Sequence, residues 1–253
     1  MIDFYKYENC GNDFIIFDGR KELFSLDKKK IVKLCNRNLS IGADGIILCK
    51  FSKIADYKFE IFNSDGSKAT MCGNGLISFV RFLSDHIEKR SSYSIETTNG
   101  VYKTKINKNL VSFLYSHPKL LKENIKLQVE DKEYILHLVD SGTLHGVIFA
   151  KDIISLDVDA IGRKIRKMKM FFPGINVNFC EGLNVRTYEK GVEKETLGCG
   201  TGAIAVSYCL LKNQNKKSFL LNFKGGKVKV SYNKNKISYS SKPNFCFAGK
   251  ISF

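Results

Sequence analysis

The sequence predicts an α/β (α+β) protein of two similarly built halves, each a set of strands around one strongly apolar helix. Three observations lead there. Residues 61–83, IFNSDGSKATMCGNGLISFVRFL, and 186–211, RTYEKGVEKETLGCGTGAIAVSYCLL, share one order: a short strand, a charged turn, then C-G-x-G and an apolar run. Upstream, ENCGNDFIIFD around Gly11 and VDSGTLHGVIFA around Gly142 share a glycine ahead of an apolar strand, and these glycines precede Cys72 and Cys199 by 61 and 57 residues. LISFVRFL and AIAVSYCLL are apolar on nearly every side, as a helix wrapped by a sheet would be. Two halves built alike is the economical reading.

The elements follow in order. In the first half, DFIIFD, GIILCKF, YKFEIF and YSIETT read as strands, with a helix expected near residues 25–37 and another through LISFVRFL. In the second, EYILHLVD, GVIFA, NVNF and LNVRTY read as strands, with helices near 157–170 and through AIAVSYCLL. In GGKVKVSY, Lys227 and Lys229 alternate with Val228 and Val230, the period of a strand with one wet face.

Composition excludes several classes. A chain of 253 residues, 43% hydrophobic with three prolines, can bury a sizeable core. No apolar run reaches the roughly 18 residues that span a bilayer. The start, MIDFYKYENCGNDF, is acidic and polar where a signal peptide is basic then apolar, so a cytoplasmic protein is expected. Its eight cysteines are then mostly reduced, and their scatter contains neither a CxxC pair nor zinc-ligand spacing. The charge of +16 raises a nucleic-acid-binding module as an alternative from a different class. Only seven of the 41 basic residues are arginine, however, and the lysines are spread through the chain, so no nucleic-acid partner is expected.

GCGTGA, residues 198–203, loosely fits a dinucleotide fingerprint through Gly198, Gly200 and Ala203. That fingerprint needs an acidic residue about 20 positions on, and no Asp or Glu follows Glu195. The phosphate-loop GK[ST] is also missing, so no cofactor is expected. At a helix start, C-G-x-G has another use. The first backbone N–H groups of a helix lack internal partners and suit a carboxylate, while the helix field lowers a thiol pKa. One such cysteine reads equally well as an ordinary buried thiol. A matched pair, Cys72 and Cys199, favours two thiols serving one α-carbon, one removing a proton and the other delivering one.

The chain resembles the diaminopimelate epimerase family over essentially its whole length. The resemblance rests on CGNDFIIFD, RNLSIGADGII, FNSDGSKATMCGNG, FPGINVNF and RTYEKGVEKETLGCGTGA. It implies a cofactor-independent isomerase that interconverts LL- and meso-diaminopimelate for lysine and peptidoglycan synthesis. The implied fold has two pseudo-symmetric domains, each a curled, mainly antiparallel sheet around a central helix, with the site in the cleft between them. Residues 1–116 plus 245–253 would form the first domain and 117–244 the second. Cys72 and Cys199 match the acid/base thiols. Gly73, Asn74, Gly200 and Thr201 match the α-carboxylate cradle, and Asn12, Asn63, Asn176 and Glu189 match positions that recognise the rest of the substrate. Where the family has arginine after that glutamate, this chain has Lys190, a point charge in place of a bidentate fork. Its GNPH reads GTLH here, with Thr143 replacing an amide and His145 retained without an assigned role. The expected partner is a small-molecule substrate, with no membrane and with a homodimer left open. A two-thiol racemase of another amino acid is the neighbouring alternative.

Overall fold

The computed structural model describes residues 1–20, 26–233 and 236–252. In chain order the elements are β1 (Ile2–Asn9), β2 (Asn12–Asp18), α1 (Lys28–Cys35), β3 (Gly45–Lys50), β4 (Tyr57–Asn63), β5 (Lys68–Ala69), α2 (Gly73–Phe82), β6 (Ser92–Thr97), β7 (Gly100–Asn107) and β8 (Leu110–Tyr115). There follow β9 (Lys119–Val129), β10 (Lys132–Asp140), β11 (Leu144–Phe149), α3 (Val158–Arg166), β12 (Asn176–Glu181), β13 (Asn184–Glu189) and β14 (Lys194–Thr196). The chain ends with α4 (Gly200–Asn213), β15 (Ser218–Phe223), β16 (Gly226–Asn233), β17 (Lys236–Ser241) and β18 (Asn244–Ile251). The helix expected over 25–37 is α1; residue 25 lies outside the described residues. Among the described residues no helix is long and apolar enough to cross a membrane.

Two compact units result, Met1–Leu114 with Ser240–Phe253, and Tyr115–Tyr239. Their pairing patterns correspond strand for strand. In the first, β1–β2 is antiparallel, β2–β3 parallel, β3–β4 and β4–β5 antiparallel, β4–β6 parallel and β6–β7 antiparallel. In the second, β10–β11, β11–β12, β12–β13, β13–β14, β13–β15 and β15–β16 repeat that series with the same directions. The outer strand follows the same rule: β18 pairs antiparallel with β1, and β9 with β10. The final strand therefore belongs to the first unit although it follows the second in sequence.

Local chemistry is duplicated too. The corresponding hairpins β1–β2 and β10–β11 each turn on a glycine at positive φ, Gly11 (78°) and Gly142 (89°), a conformation that side chains with a Cβ resist. Asp27 caps α1 by accepting from Lys30 N at 2.8 Å, and Asp157 caps α3 by accepting from Ala160 N at 2.9 Å.

The strands of each unit are covered on both faces. Ile31, Leu34 and Cys35 of α1 pack with Ile15, Phe17, Ile46 and Leu48, while Val158 and Ile165 of α3 pack with Ile148, Val177, Phe179 and Tyr188. The middle of β2 and all but the last residue of β3 and β12 are consequently buried in continuous runs instead of alternating. On the other side, α2 packs against β1, β2, β3 and β4, and α4 against β10, β11, β12, β15 and β16. Leu76, Ile77, Phe79, Val80 and Phe82 are completely buried, as are Ala203, Ala205 and Val206. Each large side chain so removed from water contributes about 1.5–3 kcal/mol. The alternation in β16 leaves Lys227 and Lys229 exposed and Val228 and Val230 buried.

One ion cluster holds the first hairpin. Lys6, buried in β1, bonds Gly42 O and pairs with Asp13 at 2.6 Å, and Arg37 grips the same carboxylate at 2.6 and 3.0 Å. Burial by itself would raise the Asp13 pKa, but the bonds from Arg37 and Lys6 prevail and bring it down to about 2. Because the folded-state value lies below the ordinary carboxylate value, the stabilisation is complete above that ordinary value and disappears as pH falls through about 2. Asp13→Asn should cost about 3 kcal/mol at neutral pH by stranding the Lys6 charge. Urea unfolding at neutral and strongly acidic pH checks this, since the gap between variant and parent must shrink on acidification.

Candidate active site

The two C-G-x-G segments fold to the same geometry. Cys72 and Cys199 are extended residues capping α2 and α4. Each sulfur accepts the N–H three residues on, from Gly75 and Gly202, at 3.4 Å. Each carbonyl accepts the N–H four residues on, from Leu76 at 2.8 Å and Ala203 at 2.9 Å. Sulfur thus takes the part that a serine or aspartate oxygen plays at most helix starts. The second glycine of each motif sits in tight space: a Cβ at Gly202 would lie only 2.4 Å from Asn178 Oδ1 and could not be accommodated without a shift, and one at Gly75 would press on Ile61 Cδ1 at 3.1 Å.

In the first unit, strand register gathers the other predicted residues at one end of the sheet. Asn12 opens β2 opposite Asn9, and Asn63 closes β4 opposite Gly45, which itself pairs with Phe14. Asn12 Oδ1 is buried with no hydrogen-bond partner among the described residues. Asn63 is exposed and donates to Ser67 Oγ at 2.9 Å. Gly73 and Asn74 form the first turn of α2. Asn74 Oδ1 accepts from Asn9 Nδ2 at 3.0 Å, and Asn9 Oδ1 accepts from Ser241 at 2.8 Å, so the amide is turned with Oδ1 toward Asn9.

In the second unit, Asn176 opens β12 opposite His145, and Glu189 closes β13. Asn176 Oδ1 accepts from Lys190 N at 2.9 Å, fixing the turn that carries the exposed Lys190 side chain. Lys190 forms no ion pair with another described residue. Gly200 and Thr201 begin α4, and Thr201 O accepts from buried Ser141 at 2.9 Å.

Cys199 departs from the sequence expectation of an acidified thiol. It is almost wholly buried, and desolvation raises its pKa well above the ordinary cysteine value. The facing Glu189 carboxylate adds to the rise, while bonds from Thr201 and Gly202 act in the opposite direction without prevailing. A helix end is worth at most about 2 kcal/mol to a nearby charge, whereas desolvating an ion costs several, which decides the sign. Cys199 is held as a thiol beside Glu189, whose Oε1 accepts from Thr196 at 2.5 Å. The proximity of Glu189 to this sulfur was not visible in the motif.

His145 and Asn178 are the further polar residues of this cluster. Completely buried, His145 has its pKa drawn down to about 3, mainly by desolvation, and stays neutral. Its Nε2 lies 2.9 Å from Thr201 Oγ1 and 3.0 Å from Thr143 Oγ1, and its Nδ1 lies 3.0 Å from Asn178 Nδ2. The available signal for Asn178 was its place two residues from Asn176, on the same face of an otherwise apolar strand. Among the described residues, no group of three or more His, Cys, Asp and Glu is arranged to hold a metal ion.

The family pattern described as diaminopimelate epimerase matches residues 4–118 and 137–245. A diaminopimelate epimerase from Flavobacterium psychrophilum is 36% identical over 241 residues, 90% of each chain. One from Aquifex aeolicus is 39% identical over 237 residues, 85% of this chain and 84% of its own. Among solved structures, a Bacillus anthracis protein of the PhzF phenazine-biosynthesis family superposes with a TM-score of 0.75 at 14% identity, covering 100% of this chain and 99% of that one. A probable proline racemase from Agrobacterium radiobacter K84 gives 0.68 at 13%, covering 100% and 93%. The structural likenesses establish the shared fold. The sequence matches establish that this chain belongs to the diaminopimelate epimerase family of isomerases.

Proposed function

We propose that the chain interconverts LL- and meso-diaminopimelate at one α-carbon, with Cys72 and Cys199 as the proton carriers and without a cofactor, in lysine and peptidoglycan synthesis. The observation that carries this reading is the duplicated capping cysteine, each sulfur 3.4 Å from the N–H of the second glycine in a chain of this family. One thiolate takes the α-proton, so that a C–H bond becomes an S–H bond. The other thiol gives its proton to the opposite face of the same carbon, and the two sulfurs end with exchanged protonation states. Backbone N–H groups of Gly73, Asn74, Gly200 and Thr201, with the Asn74 and Thr201 side chains, hold the α-carboxylate as negative charge builds next to it.

Burial of Cys199 makes it the proton donor in one direction. In the other it starts as the thiolate left by that donation and takes the α-proton while the Cys72 thiol donates, the neighbouring Glu189 carboxylate raising its affinity for the proton. Asn12 Oδ1 is suited to a substrate ammonium, because an unpartnered buried acceptor gains most from a charged donor. Asn63 and Asn176 belong to the same recognition set, and Lys190 supplies the cation for the distal carboxylate.

Cys72→Ser and Cys199→Ser should each reduce epimerisation by about a hundredfold or more, whereas Cys35→Ser and Cys209→Ser should retain most of it. The assay follows stereochemistry and deuterium uptake at the α-carbon of LL-diaminopimelate in heavy water. Turnover near the parent rate in both site variants would remove the two-thiol mechanism.

Lys190→Ala should raise KM for diaminopimelate about tenfold with little change in kcat, and Lys190→Arg should restore or improve binding through a bidentate grip. Lysine, lacking the second carboxylate, should turn over poorly. Equal turnover of lysine, with KM unmoved in Lys190→Ala, would favour a racemase of monocarboxylate amino acids.

A further inference from the structure

A backbone carbonyl determines which nitrogen of His145 carries its proton. Asn178 Nδ2 lies 3.1 Å from Gly146 O and 3.0 Å from His145 Nδ1, and Asn178 Oδ1 accepts from Thr187 Oγ1 at 2.9 Å. Gly146 O can only accept, so the nearby amide atom must be the NH2 group; the flipped amide would set two acceptors against each other. The other Nδ2 hydrogen then points at Nδ1, which must be the bare nitrogen. A neutral imidazole so fixed carries its hydrogen on Nε2. Its acceptors are Thr201 Oγ1 at 2.9 Å and Thr143 Oγ1 at 3.0 Å; the Asn176 amide nitrogen, 3.4 Å from Nε2, has Leu144 O at 3.3 Å and Thr143 Oγ1 at 3.5 Å to take its hydrogens. Thr143 Oγ1 can also donate to Thr201 Oγ1, at 3.4 Å. With its oxygen already accepting, the Thr201 hydroxyl has one remaining use for its own hydrogen on this side, toward Cys199 Sγ at 3.5 Å. Every side chain in the sequence Thr187, Asn178, His145 is completely buried, so water does not compete for these bonds.

We propose that Asn178 is a positioning residue for Cys199: by fixing the Nε2–H tautomer of His145 it turns the Thr201 hydroxyl into a donor to the Cys199 sulfur, favouring the thiolate when that sulfur acts as base. This rests on the assignment of Cys199 as a proton carrier. Gly202 supplies the second donor, and Glu189 is the charged group that faces the sulfur. Gly202 also lets Asn178 approach, since a Cβ there would strike Asn178 Oδ1. The relay lies wholly in the second unit; at α2 the corresponding position is Asn74, held by an amide–amide bond from Asn9 that transmits no choice of tautomer.

The test uses the full chain without substrate. Long-range proton–nitrogen NMR assigns the His145 tautomer, and iodoacetamide labelling read by peptide mass spectrometry gives the pH profile of Cys199, with Cys72 in the same sample as control. The parent should show Nε2–H. Asn178→Asp should move the hydrogen to Nδ1 and slow Cys199 labelling about tenfold at one mildly alkaline pH. Thr201→Val should give the same loss without moving the tautomer, and Thr201→Ser should not. Combining Asn178→Asp with Thr201→Val should add nothing further, whereas a direct effect of the new carboxylate on the sulfur would be additive. An Nδ1–H tautomer in the parent, an unchanged Cys199 profile in Thr201→Val, or additive losses would overturn the relay. If Asn178→Asp does not fold, the parent tautomer and the two Thr201 variants still decide. None of these readouts needs turnover, so an inactive protein with an intact relay would count against the epimerase reading alone.

Discussion

A helix apolar on every face can be accommodated only if a sheet closes round it, and that enclosure leaves its ends as the places where polar chemistry can occur. Both α2 and α4 meet this constraint. Inside the helix the backbone satisfies itself, but the first N–H groups have no partner within it. A cysteine sulfur satisfies one of them in each unit, which leaves neighbouring N–H groups directed at the same place. Sulfur is a weak acceptor, so a capping cysteine gains less than a capping aspartate would. What the cysteine adds is a titratable thiol at the helix start itself.

The duplication is close in topology and loose in chemistry. Every strand pairing from the first hairpin to the pair after the central helix recurs with its direction unchanged. The residues behind the two helix starts differ. Asn74 is held by the Asn9 amide, which Ser241 fixes in turn, whereas Thr201 is held by an imidazole that is itself set by an amide. An amide has fixed donors and acceptors, but a hydroxyl has one hydrogen that follows its surroundings. The second unit therefore needs more buried polar structure to make one donor point one way, and His145, Asn178 and Thr187 provide it.

The strong features of this arrangement were legible in the sequence because they are local. Gly11, Gly142, the two C-G-x-G segments and the apolar runs after them announce turns, caps and enclosed helices within a few residues each. The alternation in GGKVKVSY gave one wet face in the same way. Features set by distant partners were not legible. Strands β5 and β14, with two and three residues, are too short for a period and exist because β4 and β13 offer them a ladder. The parallel register that sets His145 opposite Asn176 joins segments separated by α3, so no local pattern reports it.

The behaviour of Cys199 shows where a motif argument stops. The motif gives the helix end, and a helix end acting alone favours a thiolate. It does not give the depth at which the sulfur sits or the carboxylate set against it, and both favour the thiol. These opposing influences do not merely cancel. A sulfur that kept its charge in isolation would be a poor proton donor, and one buried without hydrogen-bond donors would hold a thiolate only at a high desolvation cost. Glu189 on one side favours the thiol, and the N–H and hydroxyl donors on the other favour the thiolate. Depth of burial sets which state is the resting one, and the hydrogen-bond donors limit what leaving it costs.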